Sequence, residues 1–273
     1  MSKDVTIEEK VVIAEKIPQN AIILAFIRFF TEVTLLSRFT LRFFREVFKP
    51  PYEFNELIKQ CYIVGCKSLP LVGITGFIMG LVLTIQAKPT LAEFGAESWL
   101  PAMVAVSIIR EIGPVITAVI CAGKIGSGIG AELASMKVTE QIDAMEVSGI
   151  NPFKYIVITR VLATTLMIPL LAIFSDAIGL TGSFLAVNIE GDVSFQLFFA
   201  KVFEKITFMD VLPAIAKTFF FGFAIGLIGC FKGYNSDKGT EGVGTSANSA
   251  VVIASLMVFI IDMIAVQVTN LFI

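Results

Sequence analysis

The chain has 273 residues, of which 56% are hydrophobic and only 16% charged, with a mean hydropathy of +0.84 and a net charge of −2. One soluble core of this length cannot hide so much apolar surface, so the composition selects an integral membrane protein. The absence of histidine excludes Ser-His-Asp and Cys-His catalysis and His-ligated metal or haem sites. Without a G-x-x-x-x-G-K-[ST] stretch, the chain does not bind ATP as P-loop proteins do.

Residues 1–19 read as a polar tail of mixed charge. They lack the basic and apolar regions of a cleavable signal, so insertion is expected to rely on internal segments. Residues 20–61 read as an interfacial amphipathic region. Arg38, Arg42 and Arg45 fall at i, i+4 and i+7 on one helical face, while Leu36, Phe39, Phe43 and Val47 lie elsewhere around the helix. Such a basic, Phe-rich helix lies in the membrane plane with its arginines toward anionic headgroups.

The remainder, 62–273, is predicted to be the transmembrane domain. Five stretches are long enough to cross the hydrocarbon core: 62–87, 101–125, 155–187, 211–231 and 245–272. The third, roughly 50 Å long as a helix, is expected to tilt, kink at Pro169 or project beyond the bilayer. The fold class is therefore all-α and integral to the membrane.

Lysine and arginine placement sets the orientation. Segment 1–61 holds nine basic residues, and Lys137, Lys154, Lys232 and Lys238 lie in the connections on the same side. The opposite side has only Lys88, Lys201 and Lys205. The expectation is a cytoplasmic N-terminus and an external C-terminus. In the external connection, Phe195, Phe198, Phe199, Val202, Phe203 and Ile206 follow helical spacing, with Gln196, Lys201, Glu204 and Lys205 as the polar side. This second amphipathic segment suits either the outer leaflet or an external partner.

Ionisable residues inside spans are costly and face a cavity or a partner. Arg110 and Glu111 occur in the second span within Arg-Glu-Ile-Gly-Pro, where Pro114 leaves the carbonyl of Arg110 without its helical donor. A helix break is predicted at Gly113 and Pro114, beside a polar pocket. Asp210 and Lys217 open the fourth span about 10 Å apart along the axis, too far to pair directly, so each is expected to meet something else. Asp262 lies deep in the fifth span and Asp176 in the third. Two readings stand: the charges pair with one another, or Arg110 and Lys217 face an anionic headgroup while Glu111, Asp210 and Asp262 position or neutralise them.

Small residues four apart, Gly76/Gly80, Gly126/Gly130 and Gly222/Gly226, predict close helix packing, within the chain or across a dimer. Gly126-Ser-Gly128-Ile-Gly130-Ala superficially matches a dinucleotide fingerprint but follows an apolar helix rather than a strand. Of the four cysteines, Cys121 and Cys230 lie in apolar runs, and no pair has C-x-x-C spacing, so inert thiols are expected.

Between the second and third spans, residues 131–154 are charged and helix-prone and stop at Gly149 and Pro152. Leu133, Met136, Ile142 and Met145 share a flank, leaving Glu140, Asp143 and Glu146 exposed. A short cytoplasmic helix on a protein without its own nucleotide site suits docking. Its candidate residues are Lys137, Glu140, Gln141, Asp143 and Glu146.

Three stretches carry a family resemblance: Arg110-Glu111-Ile-Gly-Pro114, the run from Ala131 to Glu146 containing Glu-Gln-Ile-Asp-Ala, and Gly149-Ile-Asn-Pro152. With Gly239-Thr-Glu-Gly-Val-Gly244 they resemble the permease family of bacterial Mla-type (maintenance of lipid asymmetry) ABC transporters, over roughly residues 50–273. The resemblance implies a homodimeric transport subunit in the bacterial inner membrane, not an enzyme, with an N-terminal interfacial helix and five spans. It implies a cytoplasmic ABC ATPase dimer docked on residues 131–149, which supplies ATP and Mg, the chain itself carrying no cofactor or metal. It further implies an external MCE-domain lipid-binding protein, a phospholipid in a cavity at the dimer interface, and room for a small cytoplasmic regulatory subunit. Nucleic acid is not an expected partner. Related members handle sterols, fatty acids or phosphatidic acid, so the family does not fix the lipid.

The competing reading from the residues alone is a stand-alone secondary transporter using Asp210, Asp262 or Glu111 as proton or cation sites. A membrane lipid enzyme ranks third, having neither histidine nor a recognisable metal-ligand cluster.

Overall fold

The computed structural model describes residues 21–189, 193–236 and 239–271, so the 1–19 tail and Lys238 lie outside the described residues. It divides into two compact units, up to Arg45 and from Glu46 onward. The first contains most of one helix, α1 (Ala21–Val47), whose 27 residues include neither Gly nor Pro. Thr31, Thr34, Ser37 and Thr40 each return a hydroxyl hydrogen bond to the carbonyl four residues earlier, at 2.7–2.8 Å. The helix stops before Pro50-Pro51, where a second proline cannot continue it.

The second unit is built on five apolar helices, each long enough to cross a membrane. The first is Phe54–Glu93, made of α2 (Phe54–Val64) and α3 (Leu69–Glu93), and it starts eight residues before the predicted span at 62. The second, Glu97–Val138, runs through α4 (Leu100–Ser107), α5 (Gly113–Cys121) and α6 (Ser127–Val138). The third is Phe153–Asn188, ending in α8 (Thr159–Asn188). The fourth and fifth are α10 (Phe208–Tyr234) and α11 (Thr240–Asn270). Two short helices join them, α7 (Gln141–Val147) between the second and third spans and α9 (Phe195–Lys205) between the third and fourth. The short links make successive spans alternate in direction, so α7 and α9 mark opposite ends of the bundle.

The helix breaks differ from those expected. The break at Gly113 and Pro114 is instead a π-helical turn, Ile108–Ile112, inside a continuous helix. The Gly113 N–H reaches back five residues to the Ile108 carbonyl, and this wider turn lets the helix absorb the missing Pro114 donor. The third span, left open between tilting, kinking and projecting, passes through Pro169 as one helix. The helix-prone 131–154 stretch is split: α6 continues the second span to Val138, and Glu140, at φ 57°, turns the chain into α7.

Span three is the hub. Two-thirds of its apolar window is buried, against 17% for α11. Its packing depends on missing side chains, and the close approaches lie within the chain. A Cβ at Gly80 would fall 1.9 Å from the Gly179 carbonyl oxygen, and one at Gly226 would fall 2.1 Å from Thr164 Oγ1. Gly76 faces Ser175, Gly222 the backbone at Thr164, and Gly130 meets Ala250 of α11. Thr84 and Ser183 join the first and third spans by a buried 2.7 Å hydrogen bond. All four cysteines are free, with Cys121 and Cys230 buried.

Candidate functional site

The five intramembrane charges singled out by sequence converge. Arg110 and Glu111 ride on the π turn of span two, Asp210 and Lys217 on the first turns of α10, and Asp262 on the last third of α11. Counted inward at 1.5 Å per residue, Lys217 lies about 14 Å from the start of α10 and Asp262 about 12 Å from the end of α11. The cluster therefore sits in the half of the bundle nearer α9.

Lys217, only 4% exposed at its side chain, donates to Glu111 Oε2 at 2.5 Å and to Asp262 Oδ1 at 2.8 Å. One ammonium thereby ties three spans together. Arg110 Nη1 lies 3.6 Å from Asp210 Oδ1. The other oxygen of Asp210 accepts from the Thr207 backbone N–H at 2.9 Å and from its hydroxyl at 2.7 Å, closing a capping box at the start of α10. As the spacing argued, Asp210 and Lys217 do not pair with each other.

Two cations thus face three carboxylates. Lys217 is held by two carboxylates, whereas Arg110 is 36% exposed and holds one long contact among the described residues. Among the described members of this cluster, Arg110 is the cation with room to bind something else. A small cavity of about 20 Å³ lies among Arg110, Glu111, Asp210 and Lys217. Beside it, an open groove of about 690 Å³ runs between α10 and α11, lined by Pro213, Phe220, Ile261, Ile264 and Val268 and touching Lys217. The cavity and the groove share Met209, Pro213, Lys217, Ala265 and Thr269, so a charged cluster stands beside an apolar surface, an arrangement that suits an amphiphile with an anionic end.

Three polar features were given no partner or role by the sequence. Asp176 was noted only as an acid in a span. Its buried Oδ1 has no hydrogen-bond partner among the described residues and abuts Gly113, directly behind the π turn. Arg160, 3% exposed, makes a two-point contact with Glu132, Nη2–Oε1 at 2.8 Å and Nε–Oε2 at 3.4 Å, and donates from Nη1 to the Ile156 carbonyl. Lys124, on a second π turn, donates to the Lys67 carbonyl between α2 and α3. The available signal was the position of Arg160 and Lys124 at span edges, where an ionisable group needs a partner.

At the opposite end, Glu140, Gln141, Asp143 and Glu146 are exposed and Lys137 is half-buried, while Leu133 and Ile142 are buried. The docking candidates thus share one accessible surface around α7. Among the described residues, no group of three or more Cys, Asp or Glu side chains is arranged to hold a metal ion.

Residues 57–268 match the family described as Permease MlaE. A probable ABC transporter permease protein of Rickettsia prowazekii is 36% identical over 234 residues, covering 86% of this chain and 90% of the relative. A counterpart from Pyropia yezoensis is 37% identical over 210 residues, 77% of this chain and 80% of the relative. The intermembrane phospholipid transport system permease protein MlaE of Haemophilus influenzae is 35% identical over 213 residues, 77% of this chain and 81% of the relative.

Proposed function

This chain belongs to the MlaE permease family of ABC transporter permeases, and we propose that it moves phospholipid between the inner membrane and an external MCE-type lipid carrier, working as a homodimer driven by a separate ATPase. The observation that carries this reading is that the partly exposed Arg110 stands beside the apolar α10–α11 groove, the small charged cavity and the groove sharing Met209, Pro213 and Lys217 in their linings. A phosphate draws Arg110 from its 3.6 Å contact with Asp210 at little cost, because that pair is long and partly solvated. Acyl chains meet the apolar groove. Lys217, held by two carboxylates, keeps spans two, four and five in register around the lipid.

Lysine and arginine placement in the sequence makes the α7 end cytoplasmic in this reading, with Lys137, Lys154 and Lys232 on its side, Lys201 and Lys205 on the other, and the C-terminus external. ATP binding draws two ATPase subunits together, and α7, joined to span two through the Glu140 turn, carries that motion into the helices. The carboxylates on α7 present a negative surface to the ATPase.

The proton- or cation-driven alternative places its sites at Glu111, Asp210 and Asp262, but Glu111 and Asp262 hold Lys217, and Asp210 caps α10. Isolation from native membrane tests the proposal, with co-purified proteins and lipids identified by mass spectrometry. An ATPase and enriched phospholipid are expected. A chain that purifies alone and moves lipid in vesicles without ATP overturns it.

A further inference from the structure

The packing of α9 separates its two flanks. Phe198 and Val202 are fully buried, in a cluster with Leu100, Val104, Leu180 and Val187. Phe184 sits one turn inside the end of α8, and its ring lies 5.3 Å from that of Phe195 and 5.6 Å from that of Phe198. So α9 lies alongside the last turns of span three rather than beyond them.

On one flank, Lys201 donates to the Ser98 carbonyl at 3.2 Å, and the Lys205 ammonium stands 4.9 Å from the centre of the Trp99 ring. Both lysines therefore sit at the level where span two begins. On the other flank, Phe195, Phe199 and Phe203 recur every four residues with ring centroids 4.5 and 6.2 Å apart. Phe195 is 59% and Phe203 70% exposed.

We propose that α9 is half-sunk in the leaflet at its end of the bundle, with Lys201, Lys205 and Trp99 among the headgroups and the Phe195–Phe199–Phe203 stripe in the acyl region. Its occupant is lipid, because the uncovered stripe runs beside membrane-spanning helices and away from the lysines. A lysine–tryptophan level with an apolar stripe on the membrane side is the arrangement of an interfacial helix. Phe208 and Met209, which follow at the start of α10, are also exposed, and Met209 lines the apolar groove. The groove therefore opens within that leaflet. If the chain transports phospholipid as proposed above, lipid passes between this leaflet and the groove without crossing water.

Trp99 is the single tryptophan, which makes the depth measurable. The purified full-length chain is placed in phosphatidylcholine–phosphatidylglycerol nanodiscs with or without brominated acyl chains. In a Trp99→Phe background, Phe203→Trp is expected to emit at shorter wavelength and lose most of its intensity to the bromines. Glu204→Trp is expected to keep its intensity there and be quenched by aqueous acrylamide. A second measurement needs no substitution: Trp99 itself should be quenched more by bromine near the carbonyl end of the chains than near the methyl end. Equal acrylamide quenching of Phe203→Trp and Glu204→Trp, or a Trp99 insensitive to brominated lipid, overturns the proposal. So does shielding of Phe203→Trp that requires an added protein. No ATPase or transport step enters the measurement, so failure here is distinct from failure of the transport reading.

Discussion

Asp176 packs its carboxylate against Gly113 so closely that a methyl group on Gly113 would lie 1.6 Å from Oδ1. The contact joins span three to span two at the turn carrying Arg110 and Glu111. Gly113→Ala should therefore cost about 1–3 kcal/mol by overpacking, seen as a lowered Tm of the detergent-solubilised protein. Adding Asp176→Ala removes the obstructing oxygen and should restore most of the loss. A double variant no more stable than Gly113→Ala alone would refute the contact.

Lys217 and Arg110 should separate stability from binding. Lys217→Ala leaves Glu111 and Asp262 facing each other without their shared cation. Loss of a buried partner costs about 3–5 kcal/mol, and the partial exposure of Glu111 places this case toward the lower figure. Arg110→Ala removes a long, partly exposed pair and should cost under about 1 kcal/mol, yet lower the phospholipid recovered with the protein. Thermal melts with lipid mass spectrometry check both. Equal Tm losses, or unchanged lipid in Arg110→Ala, would sink the division of labour.

The five spans were legible because each contains a run of about twenty apolar residues, a signal that survives any detail of packing. The π turn at 108–112 was not, since Pro114 announces a lost hydrogen bond but not how the backbone recovers from it. Glu140 illustrates the same limit: a left-handed residue that is not Gly or Asn carries no composition signal, so one helix was expected where two exist. Charge spacing showed that Asp210 and Lys217 must each find another partner. It could not name those partners, Arg110 and Glu111 on span two and Asp262 on span five. Gly76/Gly80 and Gly222/Gly226 marked close approach correctly, whereas Gly126 makes only ordinary contact; the faces opposite the first two pairs, Ser175, Gly179 and Thr164, lie on span three, where no pair of glycines four apart announced them.

Glu140 allows charge and backbone to be tested apart. Its left-handed conformation is one that glycine adopts freely and other residues adopt at about 1 kcal/mol. Glu140→Gly should stabilise the chain slightly yet weaken ATPase docking by deleting a charge. Asp143→Arg should weaken docking with little change in Tm, Asp143 being exposed. Stoichiometry of the co-purified ATPase is the measurement. Full docking in both variants would remove the charged surface of α7 from the interface.

The Arg160–Glu132 contact makes the sharpest prediction because its two ends differ in burial. Glu132 is 54% exposed at its side chain and Arg160 only 4%. Glu132→Ala leaves a buried guanidinium with the Ile156 carbonyl as its remaining acceptor, and should cost about 3 kcal/mol or more. Arg160→Leu leaves a carboxylate that water can solvate, so the loss should be smaller. Arg160→Lys should fall short of wild type, since an ammonium cannot make the two-point contact. The pair links α6, which leads into the α7 turn, to the first turn of α8. Variants that fold should therefore also lose ATP-driven lipid movement relative to ATP hydrolysis. Tm and the lipid-to-ATP ratio in reconstituted vesicles read the two effects. If Glu132→Ala and Arg160→Leu were equally stable and fully coupled, the contact would be incidental to both fold and transmission.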